Sequence, residues 1–318
     1  MKKNKNVILG FIAFLAVIVL AFVACSRQVR GQAHISEDYD ISIETADIVL
    51  ADYNINIETV GVIPADFDIR SETADIKVQT YSDFEFVIVG NNEGVRITRY
   101  TGMQRDVNIP PNIQNLPVLE IGEEAFLRKN LTSVTIPDTV ILIGEFAFFG
   151  NQLTDLTIPN SVVKIEDVAF IQNQLTNLTI GNNVTFIGHS AFSWNQLTNI
   201  IIPDGITAIE LSAFYRNQLT CVTIPNSVTS IGQDAFANNQ LTNITIPDSV
   251  ITIRNSAFAN NQLVSITIGA NVTLPSHPLG LQPWQQPFGY GFEETYVNGG
   301  RLAGTYTRPD TASTVWTR

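Results

Sequence analysis

Thiols and imidazoles are almost missing from this chain of 318 residues, which holds Cys25, Cys221, His34, His189 and His277 and no other residue of either kind. Two cysteines cannot make the framework that staples small secreted domains, and the histidines lie in unrelated segments without metal-ligand spacing. A lone Cys221 with no histidine column beside it is a poor nucleophile. Cations are scarce as well: 18 Lys and Arg stand against 30 Asp and Glu, a net charge of −12. That balance weighs against nucleic acid and against anionic bilayers as electrostatic partners. No Ser/His/Asp or Cys/His set, phosphate loop or paired-carboxylate cleft occurs, so nothing in the sequence implies an enzyme, a cofactor or a metal.

What is present is repetition. Leu131, Leu153, Leu175, Leu197, Leu219, Leu241 and Leu263 fall 22 residues apart, and so do the Ala-Phe pairs that end at Phe126, Phe148, Phe170, Phe192, Phe214, Phe236 and Phe258. A fixed period of this size marks a solenoid, whose units are too small to bury an apolar face alone and must stack on neighbours. Within one unit, Leu153, Leu156 and Ile158 alternate as a short strand around Thr157. Pro159 removes a backbone donor and Asn160-Ser161 supply turn chemistry, so the strand stops there. Val162 and Ile165 return to the core, and Ala169-Phe170 close the circuit with the Phe filling the interior. Parallel strands about 4.8 Å apart would give a ladder on the order of 30 Å long, expected to curve. The expected class is mainly β: a solenoid with one short parallel strand per 22-residue repeat, an acidic β-rich N-terminal region and an aromatic C-terminal cap.

An Asn-Gln pair precedes each Leu from Asn151-Gln152 to Asn261-Gln262. Such a column could be an amide array for a ligand. Its recurrence in step with the core columns favours an internal ladder, in which each Asn bonds backbone groups of the adjacent turn.

The core Ile224-Pro225-Asn226-Ser227-Val228-Thr229-Ser230-Ile231-Gly232-Gln233-Asp234-Ala235-Phe236 resembles the BspA-like leucine-rich repeats found on the surfaces of oral and intestinal bacteria and spirochaetes. Arg96-Ile97-Thr98-Arg99-Tyr100-Thr101-Gly102, Asn108-Ile109-Pro110 and Ile121-Gly122 look like that family's lead-in unit. Gly181 and Gly269 depart from the strand-ending Pro, and Glu166, Glu210 and Arg254 from the Gly after Ile, at turns where either residue can serve. The resemblance implies a leucine-rich-repeat solenoid that binds host proteins, matrix components or other bacteria. A structural envelope protein without a specific ligand is the alternative.

Composition divides the chain into four segments. Residues 1–25 read as an export signal: Lys2, Lys3 and Lys5, an apolar stretch from Val7 to Ala24, then Cys25. Ala24-Cys25 resembles a bacterial lipobox, with Cys25 the lipidated residue; an uncleaved membrane anchor is the other reading. Either places the mature chain at the cell envelope, tethered to a membrane. Residues 26–95 hold 14 acids against 4 bases and repeat every 14 residues, from Asp38-Tyr39-Asp40-Ile41 to Asp66-Phe67-Asp68-Ile69. Asp-x-Asp on a strand lacks the closed oxygen cage that calcium needs, so this region reads as a spacer or small β region. Residues 96–274 form the solenoid and its lead-in unit. Residues 275–318 form a cap, with Val297-Asn298-Gly299-Gly300 expected as a hairpin turn.

Two partner surfaces are expected. Alternation turns one face of the strands outward in two columns: Ser133, Asp155, Asn177, Asn199, Cys221, Asn243 and Ser265, and Thr135, Thr157, Thr179, Ile201, Thr223, Thr245 and Thr267. β-propensity alone explains most of the Thr column. The second surface is an apolar edge of Leu127, Phe149, Ile171, Trp194 and Tyr215, either an interface or a seam covered by the acidic N-terminal region. The partners implied are extracellular host proteins or other bacterial surface proteins, with the membrane reached through the lipid anchor and no nucleic acid.

Overall fold

The computed structural model describes residues 79–270, 272–274, 288 and 292–318, with backbone only at 293 and 294. The export signal with Cys25, the acidic repeats of 26–78, and His34 and His277 lie outside the described residues. The described residues all fall within one compact unit, Ser71–Arg318.

The solenoid opens with antiparallel strands β1 (Gln79–Tyr81), β2 (Phe84–Val89) and β3 (Gly94–Tyr100). Phe84, Phe86, Val95 and Ile97 belong to the same buried cluster as the repeats, so β2 and β3 share their core and the boundary at 95/96 falls inside β3. After the short strands β4 (Asp106–Asn108) and β5 (Asn112–Ile113), strand β6 (Leu116–Ile121) pairs in parallel with β3 and starts the repeating register.

The repeats then build two parallel rows of strands, the last repeat adding to the second row only the isolated bridge Thr252↔Thr273. The first row runs through Ser133–Thr135, Asp155–Thr157, Asn177–Thr179, Asn199–Ile201, Cys221–Thr223, Asn243–Thr245 and Ser265–Ile268. These are the strands expected from the Leu-x-x-Leu-x-Leu alternation. The second row, of two residues each, runs through Leu142–Ile143, Lys164–Ile165, Phe186–Ile187, Ala208–Ile209, Ser230–Ile231 and Thr252–Ile253. Two residues are too short for an alternation to show within one unit, and only the stacking at a spacing of 22, as in Ile165↔Ile187, turns them into a ladder.

Between the rows the backbone turns, and its polar groups are satisfied by the neighbouring repeat. Phe148 N donates to Ala169 O at 2.8 Å and Gly150 N to Ile171 O at 3.0 Å, and the same bonds recur along the stack. Two residues per repeat take the left-handed conformation to make these corners, for example Val168 at φ 62° and Gln172 at φ 57°. At the strand-ending position, Val162 N closes on Pro159 O at 3.1 Å and Val184 N on Gly181 O at 3.2 Å, so Pro and Gly make the same turn. At Gly181 the exchange is not free, because an added Cβ would lie 2.4 Å from Pro159 O and the backbone would have to shift.

The interior is an aromatic column. Phe126, Phe148, Phe170, Phe192, Phe214, Phe236 and Phe258 are fully buried, with ring centroids 4.8 to 5.9 Å apart and planes within 13° of parallel. Tyr100 extends the stack at the N-terminal end, 5.4 Å from Phe126, and Phe288 extends it at the other, 5.1 Å from Phe258. Beside it stands the Asn ladder. Asn195 Oδ1 accepts from Leu175 N at 3.1 Å, while its Nδ2 donates to Phe170 O at 3.0 Å and Phe192 O at 3.2 Å. The same bonds hold Asn151, Asn173, Asn217, Asn239 and Asn261, so this column staples turns together.

The C-terminal cap buries Phe288, Phe292, Tyr296, Tyr306 and Trp316 over the last repeat. Strand Gly304–Thr307 pairs antiparallel with Ser265–Ile268 and covers the open edge. The expected hairpin turn at 297–300 is a helix end instead. Phe292–Asn298 is helical, Gly299 N donates to Thr295 O at 3.0 Å, and Gly300 leaves at φ 80°. The Gly-Gly pair supplies the left-handed exit that ends a helix as readily as it supplies a hairpin turn.

Candidate interaction surfaces

The first-row strands are buried at their middle residue or half-buried there, and open on either side, so both expected columns face outward. Ser133, Thr135, Asp155, Thr157, Asn177, Thr179, Asn199, Ile201, Cys221, Thr223, Asn243 and Thr245 are all exposed. Ser265 and Thr267 are half-buried, because the returning strand lies beside them and Thr267 Oγ1 meets Thr305 Oγ1 at 2.8 Å.

The face is wider than the seven repeats. Asp106 and Asn108 of β4 stand opposite Ser133 and Thr135 at one end, and Thr305 and Thr307 stand opposite Thr267 and Ser265 at the other. The Thr-Tyr-Thr alternation of 305–307 carries a signal that could have found the second pair. Asp106 and Asn108 carry a signal too, since Asp106-Val107-Asn108-Ile109-Pro110 follows the pattern of Ser133-Val134-Thr135-Ile136-Pro137, but at an offset of 27 residues that falls outside the 22-residue period.

Polar groups on this face bond along the stack. Ser133 Oγ donates to Asp106 Oδ1 at 2.7 Å, and Asn177 Nδ2 donates to Asp155 Oδ1 at 2.6 Å. The bond from Asn177, with a second from Thr154 Oγ1, holds the Asp155 carboxyl below its usual range. Ile201 is 76% exposed in the middle of the Thr column, an apolar spot flanked by hydroxyls. Past the ends of the first three strands runs a groove of about 660 Å³. Thr135, Thr157 and Thr179 border it on one side, with Asp138 and Asn182 on the turns. The face as a whole can offer hydrogen bonds at regular spacing with little charge.

The apolar edge is less open than expected. Phe149 is buried at 5% exposure, packed edge-on to Phe146 and covered by the Arg128 guanidinium at 5.1 Å from its ring. Leu127, Ile171, Trp194 and Tyr215 are half-buried. Trp194 and Tyr215 meet edge-to-face at 6.3 Å, and Arg216 lies over the Trp194 ring at 4.1 Å. Sequence reasoning missed both arginines, since attention to apolar residues passes over cations that lie flat on rings.

A third corner is acidic. Burial, and then the charges of Asp167, Glu123, Glu166 and Glu124, push the Glu145 carboxyl above its usual range. His189 sits between Glu210, 3.3 Å from Nε2, and Asp167, 3.8 Å from Nδ1. The bond to Glu210 raises its pKa against the opposing effect of burial. Among the described residues no three His, Cys, Asp or Glu side chains are placed to hold a metal ion, and no helix is long and apolar enough to cross a membrane.

The family described as the BspA type leucine rich repeat region matches in six copies, over residues 119–241 and 164–276. The solved structure of a leucine rich cell surface protein from Faecalibacterium prausnitzii is similar at 32% identity and a TM-score of 0.56, covering 64% of this chain and 57% of that one. This chain therefore spans a little over half the length of that protein. The T. pallidum leucine rich repeat protein is similar at 26% identity and a TM-score of 0.39, over 55% of this chain and 74% of that one. No curated protein matches.

Proposed function

The chain belongs to the family of BspA-type leucine-rich repeat proteins, and on that premise we propose that it is a membrane-anchored cell-surface protein that adheres to host matrix proteins or to other bacteria. The family's solenoid is a scaffold for protein–protein interaction, and its structural relative from Faecalibacterium prausnitzii is a cell surface protein. The observation that carries the reading is the strand face, where polar side chains repeat in register from Asp106 to Thr307 and are exposed at every repeat but the last. A face of short hydroxyls and amides fits a protein partner through many weak hydrogen bonds, with Ile201 as an apolar centre. The anchor in this proposal is lipid on Cys25, after the basic start and apolar stretch of residues 1–24.

The test is capture of purified host extracellular proteins by cells that display the full chain. The substitutions Asn199→Lys and Ile201→Lys place charge on the open face without touching the core. Loss of capture with unchanged surface display is the expected result. Capture that is unaffected by both changes overturns the strand-face reading, and an absence of capture favours a structural role in the envelope.

A further inference from the structure

Charge is sorted around the circumference of the solenoid. The seven turns that lead into the Leu column, at 127–130, 149–152, 171–174, 193–196, 215–218, 237–240 and 259–262, contain no Asp or Glu and hold Arg128, Lys129 and Arg216. The corner just before each Ala-Phe pair, at 122–124 and every 22 residues after it, carries seven carboxylates. In a chain of net charge −12, one edge is thus left acid-free and locally basic. Arg105 reaches the same edge, donating from Nε to Asn130 O at 2.9 Å.

On this edge one side chain departs from what packing asks for. Trp194 takes φ 56° in a column filled elsewhere by Arg128, Gly150, Gln172, Arg216, Asn238 and Asn260. A bulky ring in the left-handed region is uncommon and disfavoured. It is not drawn there by the core, because the ring stays half-buried. What Trp194 does is hold Arg216. The guanidinium lies 4.1 Å from the Trp194 ring, Nε donates to Tyr215 Oη at 3.0 Å, and the group remains exposed. Among the described residues no carboxylate forms an ion pair with Arg216. The guanidinium is preset, and its terminal nitrogens are free to grip an incoming carboxylate.

We propose that this edge is a docking strip for an acidic protein segment in extended conformation, with Arg216 on its Trp194–Tyr215 seat as the anchor and Arg128 as a second contact. A stacked guanidinium keeps its fork geometry and loses little freedom when it binds a carboxylate in two-point fashion. Trp194 and Tyr215 offer ring surface to an apolar side chain beside that carboxylate. Arg128 and Arg216 stand four repeats apart, about 19 Å at about 4.8 Å per turn, which an extended chain covers in about six residues at about 3.3 Å each. The strip is separate from the strand face, so it can act whether or not that face binds host protein.

The experiment measures fluorescence anisotropy of labelled eight-residue peptides against the full chain in detergent. One peptide carries Glu at positions 1 and 7 with Leu between them, one carries Lys in place of Glu, and a polyphosphate of matched charge competes. The Glu peptide should bind and weaken with salt. Arg216→Gln should weaken it at least about tenfold, and Arg216→Lys should restore only part of the loss, since a point charge cannot stack as the planar fork does. Trp194→Ala should weaken binding with the melting temperature nearly unchanged, whereas Asn199→Lys on the strand face should leave it intact. The proposal is overturned by equal binding of the Lys peptide, by indifference to Arg216→Gln, by loss in Asn199→Lys, or by polyphosphate competing as well as the Glu peptide. Peptide binding that persists while host-protein capture fails would overturn the adhesion reading and leave the strip in place.

Discussion

The Asn ladder makes a quantitative prediction about coupling between repeats. The Phe carbonyls from Phe148 to Phe236 each accept from two Asn side chains, their own repeat's and the next one's. Phe192 O accepts from Asn195 Nδ2 at 3.2 Å and from Asn217 Nδ2 at 2.9 Å. Asn217→Ala therefore leaves Phe192 O with Asn195 and Phe214 O with Asn239, and strands only Leu197 N, which loses its bond to Asn217 Oδ1. One buried donor without a partner costs about 1–3 kcal/mol, and two weakened carbonyls add to that, so about 2–3 kcal/mol is expected. Asn195→Ala should cost a similar amount through Leu175 N. In the double variant Phe192 O has no partner at all. Its loss should exceed the sum of the single losses by about 1 kcal/mol, the scale of one further unpaired buried group. Asn195 paired with Asn239 shares no carbonyl and should be additive. Urea melts of the four proteins, followed by far-UV circular dichroism, supply the cycle, provided the slopes agree. Additivity within about 0.5 kcal/mol at the adjacent pair would falsify the shared-carbonyl argument.

Phe192→Ala, which removes a fully buried ring stacked 5.4 Å from Phe170 and 5.9 Å from Phe214, should cost about 3–5 kcal/mol in the same melts. Glu145 and His189 make stability depend on pH in one direction. Both have folded pKa values above their ordinary 4.5 and 6.5, so each contributes fully below its unfolded value and is lost as pH rises through the raised one. Thermal melts should give a lower midpoint at about pH 8 than at about pH 5, and His189→Gln should flatten the part of the curve above about pH 6.5. A midpoint that rises with pH over that interval contradicts the assignment. Metabolic labelling with a lipid precursor should mark the wild-type chain and spare Cys25→Ser, and equal labelling of both disproves the anchor.

Much of the solenoid was legible in the sequence because its core columns are strict. A residue type that returns at every 22nd position reveals burial without any structure, and Leu, Ala, Phe and Asn all do so. The second row of strands was not legible, since two residues carry no alternation and the register exists only between turns. Gly299-Gly300 was misread because a helix exit and a hairpin turn ask for the same left-handed backbone. On the candidate surfaces, the strand face followed from alternation alone. The edge did not: Phe149 looked exposed in the repeat pattern, but Arg128 folds over it, and where a long side chain lies is decided by the neighbouring turn.

The ladder also bears on how such a chain can change in length. Asn195 touches Phe170 and Phe192 and reaches no turn beyond its own and the preceding one, and the Asn of every other repeat does the same. Each seam between turns is therefore chemically equivalent to the next. Removing or duplicating one 22-residue unit from the interior rejoins two identical seams, leaving no orphaned donor and no unmatched ring. Only the terminal pieces, with Tyr100 at one end of the aromatic column and Phe288 at the other, are irreplaceable. Recombination within the gene can thus lengthen or shorten the outer surface one unit at a time, and each new unit brings its own exposed residues to be tried against a partner.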